Sequence, residues 1–389
     1  MRRAPDEAMT EKRLPELRDV QRDDEGRALL LSMTFPELKR WVQDDLGEKP
    51  FRAKQLWKWL YIRMVSDFDE MTDLSKSVRA KLKDAARIDV LTLEDVYTSA
   101  DGTRKLTWTT LAGATIESVL IPTEDRNTLC ISSQVGCAMN CQFCLTARMG
   151  LRGQLTTAEI VNQVVGTRRL YEEEQHLSNI VFMGMGEPFH NPDNVIPATR
   201  ILIHRDGLNF SKRKVTVSTS GLVPEIERFG AESEAQLAVS LNATTDEVRD
   251  WIMPINRRYN LDRLLGALRS YPYRKHERVT FEYVMLDGVN DSDDDLCRLV
   301  RIASSIPCKV NLIPFNPHPG TEFRPTPMPR VREFRERLQG KHIHATIRVT
   351  RGDDEMAACG QLGKPGPKQP KRMRPPESFV EAVRAEDTP

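Results

Sequence analysis

The spacing of hydrophobic positions changes along the chain, and each change marks a different kind of structure. From Thr34 onward apolar residues recur at three- and four-residue intervals: Leu38, Trp41 and Val42, then, beyond the break at Lys49-Pro50, Ala53, Leu56, Trp57, Leu60 and Tyr61. Such spacing predicts helices with one buried face. Thr34 as a cap, with Pro36 in the first turn, predicts where the first begins. A third helix is expected over Leu74 to Ala86. Trp57 and Trp59 read as core and near-core residues of this helical unit, not as platforms for stacking RNA bases. Next come runs rich in Val, Ile, Leu and Thr, at Val90–Ser99, Arg104–Thr110 and Thr115–Ile121, separated by Asp101-Gly102 and Ala112-Gly113. These predict strands joined by tight turns.

From about Thr128 the pattern alternates. Strands are expected at Thr128–Ser132, Asn179–Phe182, Lys214–Ser218, Gln236–Leu241, Val279–Val284 and Val310–Ile313, with a further short one at Thr346–Val349. Helices are expected between them, at Thr157–Glu172, Asn191–His204, Val223–Phe229, Asp246–Ile252 with Leu261–Ser270, Asp293–Ser305 and Val331–Leu338. Repeated β–α units imply a parallel sheet with right-handed crossovers. Two architectures remain open, a doubly wound sheet and a barrel-like curved sheet. In both, ligands gather at the carboxyl ends of the strands. The chain therefore divides into a disordered lead-in (1–28), a helical accessory domain (29–90), a β-extension (91–122), an α/β core (123–353), a short loop carrying Cys359 (354–363), and a disordered tail rich in Pro, Lys and Arg (364–389).

Composition narrows the class. At 389 residues, 39% hydrophobic and 29% charged, the chain has the make-up of a soluble globular protein. It has no apolar run near the ~18–20 residues that span a membrane. The charged start, MRRAPDEAMTEKR, has no apolar stretch of the kind a secretory signal needs, so a cytoplasmic location is expected. There the seven cysteines should be thiols, metal ligands or catalysts, not structural disulfides. The net charge of +1 neither favours nor excludes a nucleic-acid partner. Lys212-Arg213-Lys214, Arg257-Arg258 and Arg168-Arg169 are local basic clusters that read equally well as solvated surface.

The chemistry concentrates in Cys130 to Met149, CISSQVGCAMNCQFCLTARM, which holds Cys130 and a Cys-x3-Cys-x2-Cys run of Cys137, Cys141 and Cys144. Three thiolates suit zinc or an iron–sulfur cluster and not a hard cation. With Cys130 as a fourth ligand the set would suit a closed zinc site. Without it, a cubane cluster keeps one iron open. The other polar or glycine-rich segments follow strands: Gly184-Met185-Gly186-Glu187-Pro188, then Ser218 to Gly221, then Ser240-Leu241-Asn242, then Asn316. Their convergence at one rim is a stronger signal than any one of them. Glu117, alone on a strand, reads as a surface carboxylate, and Cys297 and Cys308 read as buried small hydrophobes.

CAMNCQFC resembles the signature of radical S-adenosylmethionine (SAM) enzymes. The wider chain resembles the RlmN family of bacterial RNA methyltransferases through GEKPFRAKQLWKWLY, FDEMTD, SSQVGCAMNCQFC, VFMGMGEP, KVTVSTSGLVP, IMPINRRYN, EYVMLDGVND, VNLIPFNP and TRGDDEMAACGQL. These cover residues 32 to 363 almost continuously. The resemblance implies a partial (β/α)6 TIM-like barrel of the radical SAM type, with an accessory domain that binds RNA. It implies a 4Fe-4S cluster on Cys137, Cys141 and Cys144, and SAM held by Gly186, Glu187, Ser218, Ser240, Leu241, Asn242 and Asn316, with Glu187 receiving the amino group.

The implied reaction is methylation of C2 of adenosine in 23S rRNA, at the peptidyl-transferase centre, and in tRNA beside the anticodon. In the family scheme one SAM methylates Cys359 on sulfur. A 5′-deoxyadenosyl radical from a second SAM takes a hydrogen from that methyl, and the resulting carbon adds to C2. Cys130 then releases the product by forming a transient disulfide with Cys359, and Glu117 accepts a proton. A monomer fed electrons by flavodoxin is the family default. Against this stand a C8-methylating relative that shares the cysteines and confers antibiotic resistance, a radical SAM enzyme acting on a protein or small molecule, and a zinc-bound RNA-binding module using Cys130 as fourth ligand.

Overall fold

The computed structural model describes residues 17–171, 176–366 and 369–376. In chain order its elements begin with β1 (Ala28–Leu29), α1 (Phe35–Asp44), α2 (Phe51–Lys58), α3 (Lys76–Ala85) and β2 (Ala86–Arg87). Three strands follow, β3 (Leu91–Thr98), β4 (Arg104–Thr110) and β5 (Thr115–Pro122), then β6 (Asn127–Cys130) and a small hairpin of β7 (Gln134–Gly136) and β8 (Leu151–Gln154). The remainder alternates: α4 (Thr157–Tyr171), β9 (Leu177–Phe182), α5 (Pro192–Ile203), β10 (Val215–Thr219), α6 (Val223–Glu232), β11 (Gln236–Ser240), α7 (Asp246–Ile252), α8 (Leu261–Arg269), β12 (Val279–Met285), α9 (Asp293–Ser304), β13 (Cys308–Pro314), α10 (Met328–Gln339) and β14 (His344–Ile347).

The strand order of the main sheet decides between the two architectures. It runs β14-β13-β12-β11-β10-β9-β6-β5-β4-β3. From β6 to β14 the parallel strands lie in their sequence order, with no reversal. A doubly wound sheet needs a reversal, which creates its switch point, so the barrel-like alternative is the observed one. The parallel part includes β14, paired with β13 from Lys309↔His344 to Leu312↔Ile347. The β-extension is continuous with the core, because β5 pairs antiparallel with β6 from Val119↔Cys130 to Pro122↔Asn127.

One face of the parallel strands carries the core. Ile180, Phe182, Val215, Val217, Val239, Phe281, Tyr283, Val310 and Leu312 are all buried under the helices. The accessory unit packs on the same body. Its first helix opens with a capping box, Thr34 and Glu37 bonding reciprocally. Trp57 is buried and rests its ring against Phe35 and His204. Trp59 donates its indole N–H to Asp73 at 2.6 Å. Arg169, from one of the basic clusters, is structural: it pairs with Asp89 at 2.6 Å and donates to the Val65 carbonyl at 2.9 Å.

Three expectations need correction. Composition predicts a disordered lead-in over 1–28, yet within its described part Arg18 pairs with Glu37 at 2.9 Å, Gln21 bonds Asn194 at 2.6 Å and Arg22 bridges Ala28. Low apolar content hid an arm that is held by hydrogen bonds. The described part of the tail also lies against the molecule: Asn140 donates to the Lys371 carbonyl, Met373 N–H to Gln142 Oε1, and Arg372 pairs with Glu322. Cys308 is buried as expected, whereas Cys297 is exposed, on the outer side of its helix. Residues 1–16 and 377–389, also expected to be disordered, lie outside the described residues.

Candidate active site

The cysteine loop is built by the hairpin of β7 and β8, which closes both of its ends. Gly136 makes the closure feasible: its φ is +74°, and a Cβ there would sit 1.9 Å from the Gly150 carbonyl oxygen. Cys137, Cys141 and Cys144 line a cavity of about 170 Å³ together with Gly186, Glu187, Ser218, Ser240, Asn242 and Asn316. The strand ends thus converge on the three thiols. Leu241 is the exception among the expected ligand contacts. Its side chain is buried, its N–H donates to the Glu282 carbonyl at 3.0 Å, and its carbonyl accepts from Arg249.

Glu187 is buried, and both carboxylate oxygens accept backbone N–H groups, Oε1 from Phe189 at 3.0 Å and Oε2 from Ser220 at 2.8 Å. Burial raises its pKa above the usual glutamate value, and these hydrogen bonds oppose the rise. Gly186 brings the turn close: at φ +102° its Cβ would lie 2.5 Å from that of Gln134. Gln134 in turn accepts the Glu187 N–H at 2.7 Å. Asn242 sits in the left-handed region at φ +55°. Its side-chain oxygen accepts the Val284 N–H at 2.8 Å, its amide nitrogen donates to the Met253 sulfur at 3.2 Å, and its carbonyl accepts from the Asn290 side chain at 2.7 Å. Asn316 donates to the Cys359 carbonyl at 3.1 Å and accepts from Thr350.

Cys359, far away in sequence, is docked on the cysteine loop. Leu145 N–H donates to the Gly360 carbonyl and Thr146 Oγ1 to the Leu362 carbonyl, both at 2.7 Å. At its other end the segment is fastened to the turn between β3 and β4, where Asp354 takes hydrogen bonds from Ser99 and from Ala100 N–H. Cys359 lines the first cavity and also a second, of about 580 Å³, inside the curved sheet. Cys130 lines only the second. Burial pushes its thiol up to about 12, and the nearby Cys359 adds to the rise. Arg348 and Glu282 line both cavities. Cys359, Glu282 and Cys130 all hold the Arg348 guanidinium in its charged form. Glu117 lines neither cavity. It is buried, not at the surface, and its Oε2 accepts the Gly363 N–H at 2.8 Å, four residues beyond Cys359.

Sequence reasoning missed the residues that hold this rim together. Arg249 is fully buried, and its guanidinium donates to the carbonyls of Leu241 at 3.0 Å, Ser220 at 2.7 Å and Ser240 at 3.1 Å, and to Asn256 at 3.0 Å. Burial lowers its pKa to about 10. On a seven-residue helix, DEVRDWI, nothing distinguishes it from a surface arginine. Gln134, Asn290 and Glu282 were missed for the same reason. The alternation of β12, which places Glu282 on the face opposite Phe281, was the available signal.

The donor set can be compared with the groups the sequence resemblance implies. Burial raises the pKa of all three loop thiols, a penalty that a bound metal centre relieves by taking the thiolates. Among the described residues no three His, Cys, Asp or Glu side chains converge as a single metal ion would require. A cubane, by contrast, keeps its cysteines apart on separate irons. Cys130 lies on another wall, so the closed zinc site loses its fourth ligand. For SAM, the buried Glu187 carboxylate makes no ion pair among the described residues and suits an ammonium, and Ser220 Oγ is buried without a partner.

Comparison with known proteins agrees with this arrangement. Residues 29–88 match the family model described as the ribosomal RNA large subunit methyltransferase N-terminal domain, and residues 131–300 match the radical SAM superfamily. The dual-specificity RNA methyltransferase RlmN 2 of Myxococcus xanthus is 51% identical over 344 residues, covering 87% of this chain and 91% of its own. The dual-specificity RNA methyltransferase RlmN of Geobacter sulfurreducens is 54% identical over 330 residues, covering 85% and 90%. The crystal structure of a radical SAM methyltransferase from Sphaerobacter thermophilus superposes with a TM-score of 0.81 at 44% identity, covering 86% of this chain and 98% of that one. No helix among the described residues is long and apolar enough to cross a membrane.

Proposed function

This chain belongs to the RlmN family of dual-specificity RNA methyltransferases, within the radical SAM class, and from that membership we propose that it methylates C2 of adenosine in 23S rRNA and in tRNA, with Cys359 as the methyl carrier. The observation that carries this reading is the docking of the Cys359 segment. Two hydrogen bonds hold it on the cysteine loop, and Cys359 lines both the cysteine-lined cavity and the chamber that contains Cys130.

Cys137, Cys141 and Cys144 would hold a 4Fe-4S cluster, and Glu187, Gly186, Ser218, Ser240, Asn242 and Asn316 would surround SAM. Bound there, the pair would supply one-electron reductive cleavage of the sulfonium and hence an alkyl radical. The chain's own residues do the rest. C2 of adenine is an electron-poor carbon and no nucleophile, so direct displacement on SAM cannot methylate it. Cys359 can attack the sulfonium methyl as thiolate, and it then presents a carbon on sulfur to C2. Cys130 would release the RNA by forming a disulfide with Cys359, and cytosolic reductants would reset the pair. Glu117, bonded to the Gly363 N–H, would take up a proton. The accessory domain would engage the RNA, flavodoxin would donate electrons, and the protein would act as a cytoplasmic monomer.

Two measurements test this. Nucleosides from rRNA and tRNA should contain 2-methyladenosine only when the gene is present; 8-methyladenosine in its place would assign the sister activity. Cys130→Ala should accumulate an RNA crosslink through Cys359, and Cys359→Ala should form none. Equal turnover by both variants would sink the two-cysteine scheme.

A further inference from the structure

Past Gly363 the chain leaves the segment that docks Cys359 and crosses the outside of the cysteine loop. Gly366 abuts the Arg152 guanidinium, and Pro370 packs beside Gly150. Farther on, Asn140 donates to the Lys371 carbonyl at 3.2 Å, and Gln142 Oε1 accepts the Met373 N–H at 2.9 Å. Asn140 and Gln142 flank Cys141, so the tail is bonded to the very stretch that carries the thiols. Its described residues line neither cavity.

Charge does not account for this docking. Arg148 is only 8% exposed, its Nε donates to the neutral Gln369 side chain at 3.3 Å, and its Nη1 is buried without a partner. A buried cation that lacks a counter-ion is costly. The tail that covers it adds three more cations, Lys371, Arg372 and Arg374, all exposed. Among the described residues only Arg372 of these has a carboxylate partner, Glu322 at 3.1 Å. The face made by the loop and the tail is therefore short of anions.

Its position narrows what supplies them. RNA has to reach Cys359, which lines both cavities, and this face lines neither. What must approach the cysteine loop from outside is an electron source. Each reductive cleavage of the sulfonium consumes one electron, which leaves a carrier that is thereby oxidised and arrives at the centre held by the loop thiols, which is reduced. A carrier protein with carboxylates around its redox group satisfies both the charge and the place, and opposite charge speeds and orients such an encounter.

We infer that the tail and the cysteine loop together form the docking surface for an acidic one-electron carrier protein, with Lys371, Arg372 and Arg374 meeting its carboxylates above the loop. The inference rests on the cluster-based reading above and deepens it by giving the electron donor a place on this chain. The motifs that carry the family resemblance end at residue 363, so these three cations lie outside them.

The test uses the cluster-loaded full-length protein without oxygen, and reduced flavodoxin as the acidic carrier. At low salt the triple variant Lys371→Glu, Arg372→Glu, Arg374→Glu should bind flavodoxin about tenfold or more weakly than the wild type. The corresponding triple change to Gln should fall between them. The differences should vanish near ~1 M salt, where the screening length has dropped to about 3 Å. Formation of 5′-deoxyadenosine from SAM should fall in step when flavodoxin is the reductant. It should stay at the wild-type level when dithionite replaces flavodoxin, since a small reductant needs no docking surface. Wild-type affinity for flavodoxin in the Glu variant at low salt would overturn the inference. So would weakened binding of a substrate hairpin RNA with flavodoxin binding unchanged, which would give the tail to RNA. Equal loss of 5′-deoxyadenosine with both reductants would also overturn it, since the tail would then support the loop and not the carrier. A wild type that forms no 5′-deoxyadenosine with either reductant would instead count against the proposed function, while the flavodoxin titration would still judge the docking surface.

Discussion

The parallel strands have two faces of opposite character. On β12, Phe281 and Tyr283 are buried beneath the helices, while Thr280 and Glu282 face the chamber. On β13, Val310 and Leu312 go one way, Lys309 and Asn311 the other. One backbone register therefore serves two purposes, since successive side chains in a strand point to opposite sides. The outer face provides the apolar burial that stabilises the fold. The inner face keeps polar groups available, which small-molecule or base recognition requires and a packed barrel core would forbid.

Substitutions at neighbouring positions can break this contrast. Phe281→Ala should lose about 3–5 kcal/mol in urea unfolding, because it empties a fully buried site. Glu282→Gln, one residue away, should leave the fold standing, and equal destabilisation by the two would erase the distinction between faces. Arg249 belongs to neither face and clamps the rim where they end. Arg249→Met should cost about 3 kcal/mol, as the Ser220, Ser240 and Leu241 carbonyls lose their donor. It should also weaken SAM binding in equilibrium dialysis. Arg249→Lys should not restore either property, because one ammonium cannot span that fork.

The smallest effect concerns pH. Burial raises the Glu282 carboxyl above its ordinary range, although Arg348 pulls the other way. A carboxyl raised by folding favours the folded state while protonated, and that contribution is lost as pH rises through its folded value. Glu282→Gln should therefore melt above the wild type at pH 7, with the gap closing as pH falls toward the ordinary glutamate value of about 4.3. A gap independent of pH would show that Glu282 is solvated and that the inner face is no special environment.

Much of this was legible beforehand. The helices of the accessory unit, the strands and helices of the core, and the cysteine loop are set by local periodicity and spacing, which a single sequence displays. The hairpin of β7 and β8 was not, because its strands are short and make sense only once paired. Arg18 and the described tail were misjudged because polar arms held by a few specific hydrogen bonds have the same composition as disordered ones. Glu117 looked like a surface carboxylate because burial depends on what the chain brings over it, here the segment around Gly363.

Residue order alone carries the succession of elements, the three-thiol donor set and, through the density of its motifs, the family. Those properties reside in residues that are neighbours in the chain. Folding in three dimensions sets the rest: the sheet winds one way without reversal, Cys359 rests on a loop more than two hundred residues earlier, Cys130 stands apart from the three loop cysteines, and the barrel interior stays open with polar groups such as Glu282, Asn311 and Thr216 among apolar ones such as Val181 and Ile313. Each of these depends on pairing between distant segments, where long-range register and packing, and not local preference, choose the neighbour.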